Sequence, residues 1–307
     1  MKLAFLFLDG VGLAPRTQTN PFAQTSQPTI KKILGRELLL EEATVQTPRC
    51  VLIPISASMG VEGAGQSGTG QFSLYTSLNG AKIFGKHFGP FLPTPLRPLL
   101  AEMNLLKALK ARGKNICYAN AYPHAFIERC KALRALGKIR SSVLFEIALQ
   151  EQIEVRSLEH LMRQEAISGD IINAWWKENN AQASQLVVVS PEDSARNFVR
   201  LLQQYDAVFY EFFLTDLVGH RRLMIEPSQL LHLLDAFLGE ILQRVDSETL
   251  LVLTSDHGNF EDMTTDQHTH NPVPLLAFGK GAHFFYGLRS LDEVAKTILK
   301  AFDCLDS

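Results

Sequence analysis

The chain has 307 residues, of which 46% are hydrophobic, and a formal net charge of -2. This length exceeds the roughly 100 to 200 residues usual for one domain, so we expect one large domain with a smaller insert. The sequence contains no block rich in Lys and Arg. It therefore lacks the positive field that draws a protein to nucleic acid, and we predict a small-molecule partner. Nothing in the sequence specifies an oligomeric state.

The apolar stretch Leu3-Leu8 is the first predicted element, and it runs directly into Asp9. It is too short for a membrane span, so we interpret it as a buried strand, with a shortened signal peptide as the alternative. The cysteines are far apart and form no CxxC pair, which fits reduced thiols and a cytoplasmic location. They are Cys50, Cys117, Cys130 and Cys304.

Short apolar runs alternate with helical patterns along the chain, which predicts an α/β fold whose sheet is covered on both faces. The predicted strands are Leu3-Leu8, Ile116-Ala121, Ala207-Phe213, Leu250-Leu253 and Pro274-Phe278. The predicted helices are Leu99-Ala111, Pro227-Arg244 and Leu291-Phe302, together with a helix over Phe72-Gly80. Residues 15–28 are predicted to form a surface loop that leads into a helix.

The pattern changes between Tyr122 and Ser184, where short amphipathic segments replace the alternation of strands and helices. We predict that residues 122–184 form a small inserted cap domain. Residues 1–121 and 185–307 then form the α/β core domain.

Asp9 lies in the sequence LDGVG, at the carboxyl end of the first predicted strand. Open α/β sheets bind their ligands at this edge, and the glycines permit a tight turn beside the carboxylate. An ordinary turn is the alternative interpretation.

Ser67 lies in GAGQSGTGQ, just before a predicted helix. Glycines on both sides expose its hydroxyl and allow phosphate oxygens to approach backbone N–H groups near a helix N-terminus. The spacing matches neither a Walker A motif nor GxGxxG. A flexible linker is the alternative interpretation, and Thr69 is the nearest alternative nucleophile.

Asp216 and His220 follow a predicted strand and are four residues apart in LTDLVGH. On a helix this spacing places both side chains on one face, where they could bind one metal ion. The alternative is a cap or a surface contact.

The segment LLVLTSDHGNFEDM places Asp256 and His257 after a buried strand, and HTHNPVP follows within a few residues. This second segment contains His268 and His270. Histidines and a carboxylate clustered so closely favour metal binding over packing.

Together these side chains could bind two divalent ions, since they offer hard oxygen atoms and imidazole nitrogens. The set is Asp9, Ser67, Asp216, His220, Asp256, His257 and His268. Two ions roughly 4 Å apart can hold a phosphoryl group and stabilise the attacking and leaving oxygens. Mn²⁺ and Zn²⁺ both suit the mixed ligands.

The motifs LDGVG, QSGTGQ, DLVGH, SDHGN and HTHNPVP, in this order, resemble those of the alkaline phosphatase superfamily, which includes cofactor-independent phosphoglycerate mutase and phosphopentomutase. The resemblance extends through both ends of the chain. It implies an alkaline-phosphatase-like core sheet, phosphoryl transfer on a small phosphorylated metabolite, and Ser67 as the nucleophile.

The resemblance also implies how the ligands divide between the metals. Asp9, Ser67, Asp256 and His257 correspond to the ligands of one metal. Asp216, His220 and His268 correspond to those of the other. His270 has no fixed counterpart, and we expect it to support a ligand.

The chain departs from the mutases in two ways. The mutases usually have His where this sequence has Gln71, and its insert is much shorter than the phosphoglycerate mutase insertion domain. Neither change removes a metal ligand or Ser67, so the predicted activity is that of a phosphomutase or a phosphatase. Basic residues that could contact substrate phosphate are Lys86, His87, Arg97, Arg129, Arg140, Arg221 and Arg222.

Two other functions compete with this prediction. One is a metal-dependent phosphodiesterase, because one scaffold supports related esters. The other is a non-catalytic protein that is stabilised by metal and binds a phosphorylated ligand. A sulfatase would need Cys/Ser-x-Pro-x-Arg, which the residues after Ser67 do not match.

Overall fold

The computed structural model of the chain describes residues 1–306, which contain a seven-stranded sheet with helices on both faces. The strands are β1 (Lys2–Leu8), β2 (Val45–Thr47), β3 (Cys50–Ile55), β4 (Ile116–Tyr118), β5 (Ala207–Phe212), β6 (Thr249–Thr254) and β7 (Val273–Gly279). Their order in the sheet is β2-β3-β7-β6-β1-β5-β4. Strands β6, β1, β5 and β4 are parallel, whereas β7 and β2 run antiparallel to their neighbours.

The helices connect these strands and cover the sheet. They are α1 (Pro21–Gln24), α2 (Pro28–Leu34), α3 (Ser67–Thr76), α4 (Gly80–Phe84), α5 (Arg97–Glu102), α6 (Leu105–Ala111), α7 (His124–Ala135), α8 (Val143–Gln150), α9 (Leu158–Met162), α10 (Ala174–Asn179), α11 (Pro191–Gln204), α12 (Leu214–Gly219), α13 (Pro227–Arg244) and α14 (Val294–Leu305). Short 3-10 helices cover Thr94–Leu96, Ala181–Ala183, Ala282–Phe285 and Leu291–Glu293.

Strand β1 shows why the sheet has helices on both sides. Its side chains alternate between two hydrophobic clusters: Phe5 and Phe7 lie in one, and Ala4 and Leu6 lie in the other. A strand that is buried on both faces is continuously apolar, as its sequence predicted. The α/β class is confirmed, and each of the five predicted strands is present.

Because of the directions in which the strands run, loops from several strands lie at the same edge of the sheet. The carboxyl ends of β6, β1 and β5 meet there, because these strands are parallel. Strand β7 runs the opposite way, so the loop that precedes it reaches this edge as well. Strand β3 is antiparallel to β7 and also ends there. Loops from distant parts of the chain therefore meet at one place.

Several predicted elements differ from those observed. The predicted helix Leu99-Ala111 is two helices, α5 and α6, because the Asn104 side chain caps a new helix by accepting a hydrogen bond from the Lys107 N–H. The helix after the glycine-rich motif begins at Ser67 and ends before Ser77, which adopts the left-handed conformation. Gly80 begins the next helix instead of ending this one.

Residues 122–184 form helices α7 to α10 and a 3-10 helix, and the described residues of this segment add no strand to the sheet. The side chains of this segment pack in two different hydrophobic clusters. Helix α8 contributes Phe145 and Ile147 to the hydrophobic cluster of the sheet. Leu161 and Trp176 belong to a small separate cluster. The division into a core and a cap stays a prediction.

None of the helices in residues 1–306 combines the length and the apolar character that crossing a membrane requires.

Candidate metal centre

Asp9, Asp256 and His257 meet at the carboxyl ends of β1 and β6. The Nε2 atom of His257 lies 3.5 Å from Asp9 Oδ1 and 3.6 Å from Asp256 Oδ1. Both of these carboxylate oxygens are buried and have no hydrogen-bond partner among the described residues. Buried carboxylate oxygens without partners are costly, and a cation bound between them would remove that cost. The group therefore fits a divalent metal ion.

Asp216, His220 and His268 form a second group beside the first. Asp216 lies in the first turn of α12 and His220 follows the last turn, so both side chains lie on one face. His220 Nε2 is 3.3 Å from Asp216 Oδ1 and 3.0 Å from His268 Nε2. The groups adjoin, since Asp216 Oδ1 is 3.9 Å from His257 Nε2.

Backbone carbonyls fix the tautomers of His220 and His268. His268 Nδ1 lies 2.8 Å from the Gly65 carbonyl oxygen, and His220 Nδ1 lies 2.6 Å from that of Asp266. A carbonyl oxygen only accepts hydrogen bonds, so each Nδ1 is the donor. In the neutral rings the two Nε2 atoms are then unprotonated and face each other. Imidazoles that bind a metal are usually held in this way: one ring nitrogen donates a hydrogen bond, and the other is free to bind the metal.

Burial sets the charge state of these groups. It lowers the pKa of His257 to about 4 and that of His268 to about 4, so both rings are neutral at pH 7. Burial and the nearby Asp256 and Asp216 carboxylates raise the pKa of Asp9 well above its usual value. Burial likewise raises the pKa of Asp256. A bound divalent cation has the opposite effect and lowers the pKa of both carboxyl groups, because it stabilises their charged form.

Ser67 is the first residue of α3, and its Oγ lies 3.1 Å from His257 Nε2. The N–H groups of Ser67 and Gly68 have no partner among the described residues, as is usual in the first turn of a helix. They are available to phosphate oxygens at the positive end of the helix. Gly68 permits this placement, because a Cβ there would lie 2.1 Å from the Phe91 carbonyl oxygen.

The contact between Ser67 and His257 is not that of a Ser-His-Asp triad. In a triad the carboxylate binds the imidazole nitrogen that faces away from the serine. Here Asp9 and Asp256 approach Nε2, the same nitrogen that faces Ser67. The Nδ1 atom instead lies 3.4 Å from the Gly258 carbonyl oxygen. The hydroxyl, the carboxylates and the imidazole thus converge on one point, as metal ligands do.

Thr69 is less suited than Ser67 to act as a nucleophile. It is fully buried, and its Oγ1 accepts a hydrogen bond from the Phe88 N–H at 3.1 Å. This contact holds the loop after α4 against α3.

Glu261 connects the loops of the site, and sequence reasoning did not identify it. Its buried carboxylate accepts hydrogen bonds at 2.8 Å from the N–H groups of Gly12 and Asn259. It also accepts from the Thr269 hydroxyl and, at 3.0 Å, from Asn271 Nδ2. The loops after β1 and β6 and before β7 therefore share one anchor. The only sequence signal was a carboxylate within the motif NFEDM.

Gln71 has a similar connecting role on α3. Its Nε2 donates to Asp256 Oδ2 at 2.9 Å, and its Oε1 accepts from the Val143 N–H at 3.1 Å. It therefore joins a candidate metal ligand to the first residue of α8.

The remaining candidates lie in different places. His270 is exposed and makes no hydrogen bond among the described residues. Arg97 is engaged by Glu146 and by the carbonyl of Ile139, so it holds the loop before α8. Arg140 borders the cavity next to Ser67. Arg129 borders the adjoining groove, whereas Lys86, His87, Arg221 and Arg222 do not border that cavity.

The sheet, with its histidines and carboxylates at one edge, defines a metalloenzyme of the α/β class. The sequence profile of the Metalloenzyme superfamily matches residues 1–304, and the chain therefore belongs to this superfamily. The predicted resemblance is confirmed. The chain is an enzyme of a metal-dependent family.

Two curated relatives match part of the chain. The chain is 31% identical over 125 residues to the 2,3-bisphosphoglycerate-independent phosphoglycerate mutase of Legionella pneumophila. This match covers 36% of the chain and 24% of that protein. The enzyme of the same name from Coxiella burnetii is 34% identical over 127 residues, with the same coverage. The matches thus span about a quarter of the length of these relatives.

Solved structures resemble the whole chain in fold. The alkaline phosphatase of the Antarctic bacterium TAB5 has a TM-score of 0.55 at 14% identity and covers 98% of each chain. A cold-active alkaline phosphatase from Shewanella sp. has a TM-score of 0.54 at 13% identity, covering 97% of this chain and 99% of that one. The predicted alkaline-phosphatase-like core is confirmed at the level of the fold.

Proposed function

We propose that the protein transfers the phosphoryl group of a small phosphorylated metabolite to Ser67. The observation that carries the proposal is the position of the Ser67 hydroxyl, at the start of α3 and 3.1 Å from His257 Nε2, beside two groups of three candidate ligands. The names of the relatives, a phosphoglycerate mutase and an alkaline phosphatase, agree with phosphoester chemistry.

We propose that these residues divide between two metal sites in the way that the resemblance implies. Asp9, Ser67, Asp256 and His257 would bind one divalent ion. Asp216, His220 and His268 would bind the other. Mn²⁺ and Zn²⁺ both suit this mixture of carboxylate and imidazole ligands. When bound, such ions act as Lewis acids that neutralise phosphate charge and lower the pKa of a serine hydroxyl.

The protein's own groups bind and orient the substrate. The N–H groups of Ser67 and Gly68 donate to non-bridging phosphate oxygens at the helix N-terminus. The Ser67 oxygen attacks phosphorus as the bond to the leaving alcohol oxygen breaks, and a phosphoserine forms; overall, the proton lost from the Ser67 hydroxyl balances the one that the alcohol takes up. A second acceptor then takes the phosphoryl group from Ser67 and restores the hydroxyl. Water is the acceptor in a phosphatase, and a substrate hydroxyl is the acceptor in a mutase.

We further propose that residues 122–184 act as a cap over this site and that the protein works in the cytoplasm. The cap is supported by Tyr122, Phe126 and Phe145, which border the cavity next to Ser67. The cytoplasmic location is supported by the cysteines, since no two of them are paired within residues 1–306.

The test is to quench the metal-loaded enzyme during turnover of phosphorylated metabolites and to map phosphate by mass spectrometry. We expect phosphate on the peptide that contains Ser67, together with free phosphate or an isomerised product. Ser67→Ala should abolish turnover, and Thr69→Ala should have a milder effect. Phosphate on Thr69, or full activity in Ser67→Ala, would exclude the proposed mechanism.

A further inference from the structure

A cavity of about 390 Å³ opens next to Ser67, and Asp9 and Asp216 border it as well. The part of a substrate that leaves with the alcohol oxygen must occupy this space when phosphate lies at Ser67. The side chains that line the cavity therefore determine which phosphorylated compounds fit.

Aromatic side chains form much of the lining. They are Phe91, Tyr122, Phe126, Phe145 and Phe213. Core packing accounts for Phe145, which is fully buried. Tyr122 and Phe126 pack against the same hydrophobic cluster but remain partly exposed on the side of the cavity. Core packing does not account for Phe91, which is 36% exposed and belongs to no hydrophobic cluster of the described residues.

Three of these rings are fixed against each other. Tyr122 and Phe126 are stacked, with centroids 5.3 Å apart and planes inclined by 17°. The Phe145 ring is nearly perpendicular to both: its centroid lies 4.8 Å from that of Tyr122 at 80° and 5.3 Å from that of Phe126 at 72°. The Tyr122 hydroxyl is held by the Tyr118 hydroxyl at 2.7 Å. The apolar wall therefore exists before a substrate binds, and preformed walls bind rings at low entropic cost.

The residues that line the cavity include one basic residue, Arg140. Its guanidinium forms no ion pair within residues 1–306. One cation beside an aromatic wall suits a ligand with a single phosphate and an apolar remainder. A compact, highly polar metabolite with a second acidic group would leave the rings unused.

We infer that this cavity selects phosphomonoesters whose alcohol part carries an aromatic ring. The inference rests on the proposed function, since it assumes that phosphate lies at Ser67. The ring packs against the wall formed by Tyr122, Phe126 and Phe145, and Arg140 supplies a positive charge at the border of the cavity.

Binding of two phosphonates to the metal-loaded enzyme tests the inference without turnover. Calorimetry should show that benzylphosphonate binds about tenfold more tightly than ethylphosphonate, because only the first carries a ring. Phe126→Leu and Phe91→Leu should each reduce this ratio about three- to tenfold. Phe91→Leu lies at the surface, so it remains informative if Phe126→Leu does not fold.

Trp175→Leu is the matched control, because Trp175 is a 54% exposed aromatic side chain outside the cavity. It should leave the ratio unchanged. Equal binding of the two phosphonates, binding of neither, or a preference that persists in both Phe variants would overturn the inference. If the preference is present but benzyl phosphate is neither turned over nor transferred to Ser67, the proposed function fails while the aromatic site stands.

Discussion

At the scale of single residues, the positions of the His220 and His268 imidazoles favour cation binding most directly. Each ring donates its Nδ1 hydrogen to a backbone carbonyl, which leaves two Nε2 atoms facing each other at 3.0 Å. Two lone pairs at this distance repel each other unless a positive charge lies beside them. The two backbone carbonyls thus hold the rings in an arrangement that needs a positive charge at the Nε2 atoms, which either a proton or a metal ion can supply.

The first prediction concerns the number of bound metal ions. Elemental analysis of the purified enzyme after exposure to Mn²⁺ or Zn²⁺ should give about two ions per chain, and His220→Ala should give about one. The substitution removes one of three ligands from the second group and leaves the first intact. His270→Ala is the control and should retain two ions, because this ring is exposed. Equal metal content in wild type and His220→Ala would contradict the ligand assignment.

The second prediction concerns Glu261. In Glu261→Gln an amide NH₂ replaces one carboxylate oxygen and faces donors that need an acceptor. We expect metal affinity to fall about 10- to 100-fold, the usual effect of losing a group that orients ligands. Competition with a metal-binding dye measures it. Glu146→Gln is the control, since Glu146 is buried and charged but pairs with Arg97 away from the metal groups. An equal loss in both variants would mean a general effect on stability.

These residues also show how much of the site could be predicted from sequence. Carboxylates and histidines at the ends of apolar runs located the side chains that now lie together, because such residues rarely cluster without a ligand. Glu261 could not be found in this way. Its partners come from loops that are far apart in the sequence, and only the strand order brings those loops together.

At the scale of elements, hydrophobic periodicity located five of the seven strands and the 18-residue helix α13, but it did not identify the 14-residue helix α11. It missed β2 and β3 for physical reasons. Strand β2 has three residues, which is too few for a period to be recognised, and β3 contains Pro54, a residue that usually argues against a strand. It also joined α5 to α6, because the apolar spacing continues across Asn104 although the helix does not.

The third prediction tests that break. Asn104→Ala removes the acceptor that caps α6 and should lower the free energy of unfolding by about 1 kcal/mol. Asn104→Ser keeps a capping oxygen and should cost less. Urea denaturation at neutral pH measures both. If the two variants are equally stable, the cap contributes nothing and another contact separates the helices.

At the scale of the whole molecule, the sheet contains a buried acid beneath the site. Glu211 on β5 is fully buried, and burial raises its pKa to about 7. The hydroxyls of Tyr118 and Ser142 donate to one of its oxygens, and the other has no partner among the described residues. Above pH 7 the folded protein must hold this carboxylate charged in its interior.

The fourth prediction follows from the sign of that shift. The folded state binds a proton on Glu211 that the unfolded state has released above its ordinary pKa, so this stabilisation is present at low pH and is lost as pH rises through about 7. Glu211→Gln should therefore be more stable than wild type at pH 9, by up to ~3 kcal/mol, and the difference should shrink towards pH 5. Denaturant unfolding of the metal-free proteins across this range measures it. A difference that is independent of pH would show that Glu211 does not titrate there.

The central place of β1 in the sheet also has a consequence during synthesis. Residue 3 pairs with residue 207, and residue 2 pairs with residue 249. At typical translation rates the first strand, which is apolar from Leu3 to Leu8, is exposed for on the order of tens of seconds before its neighbours leave the ribosome. During that time it is an unpaired strand that other nascent chains could capture. We expect newly made chains to be bound by chaperones until β6 emerges, and metal to bind only after that point.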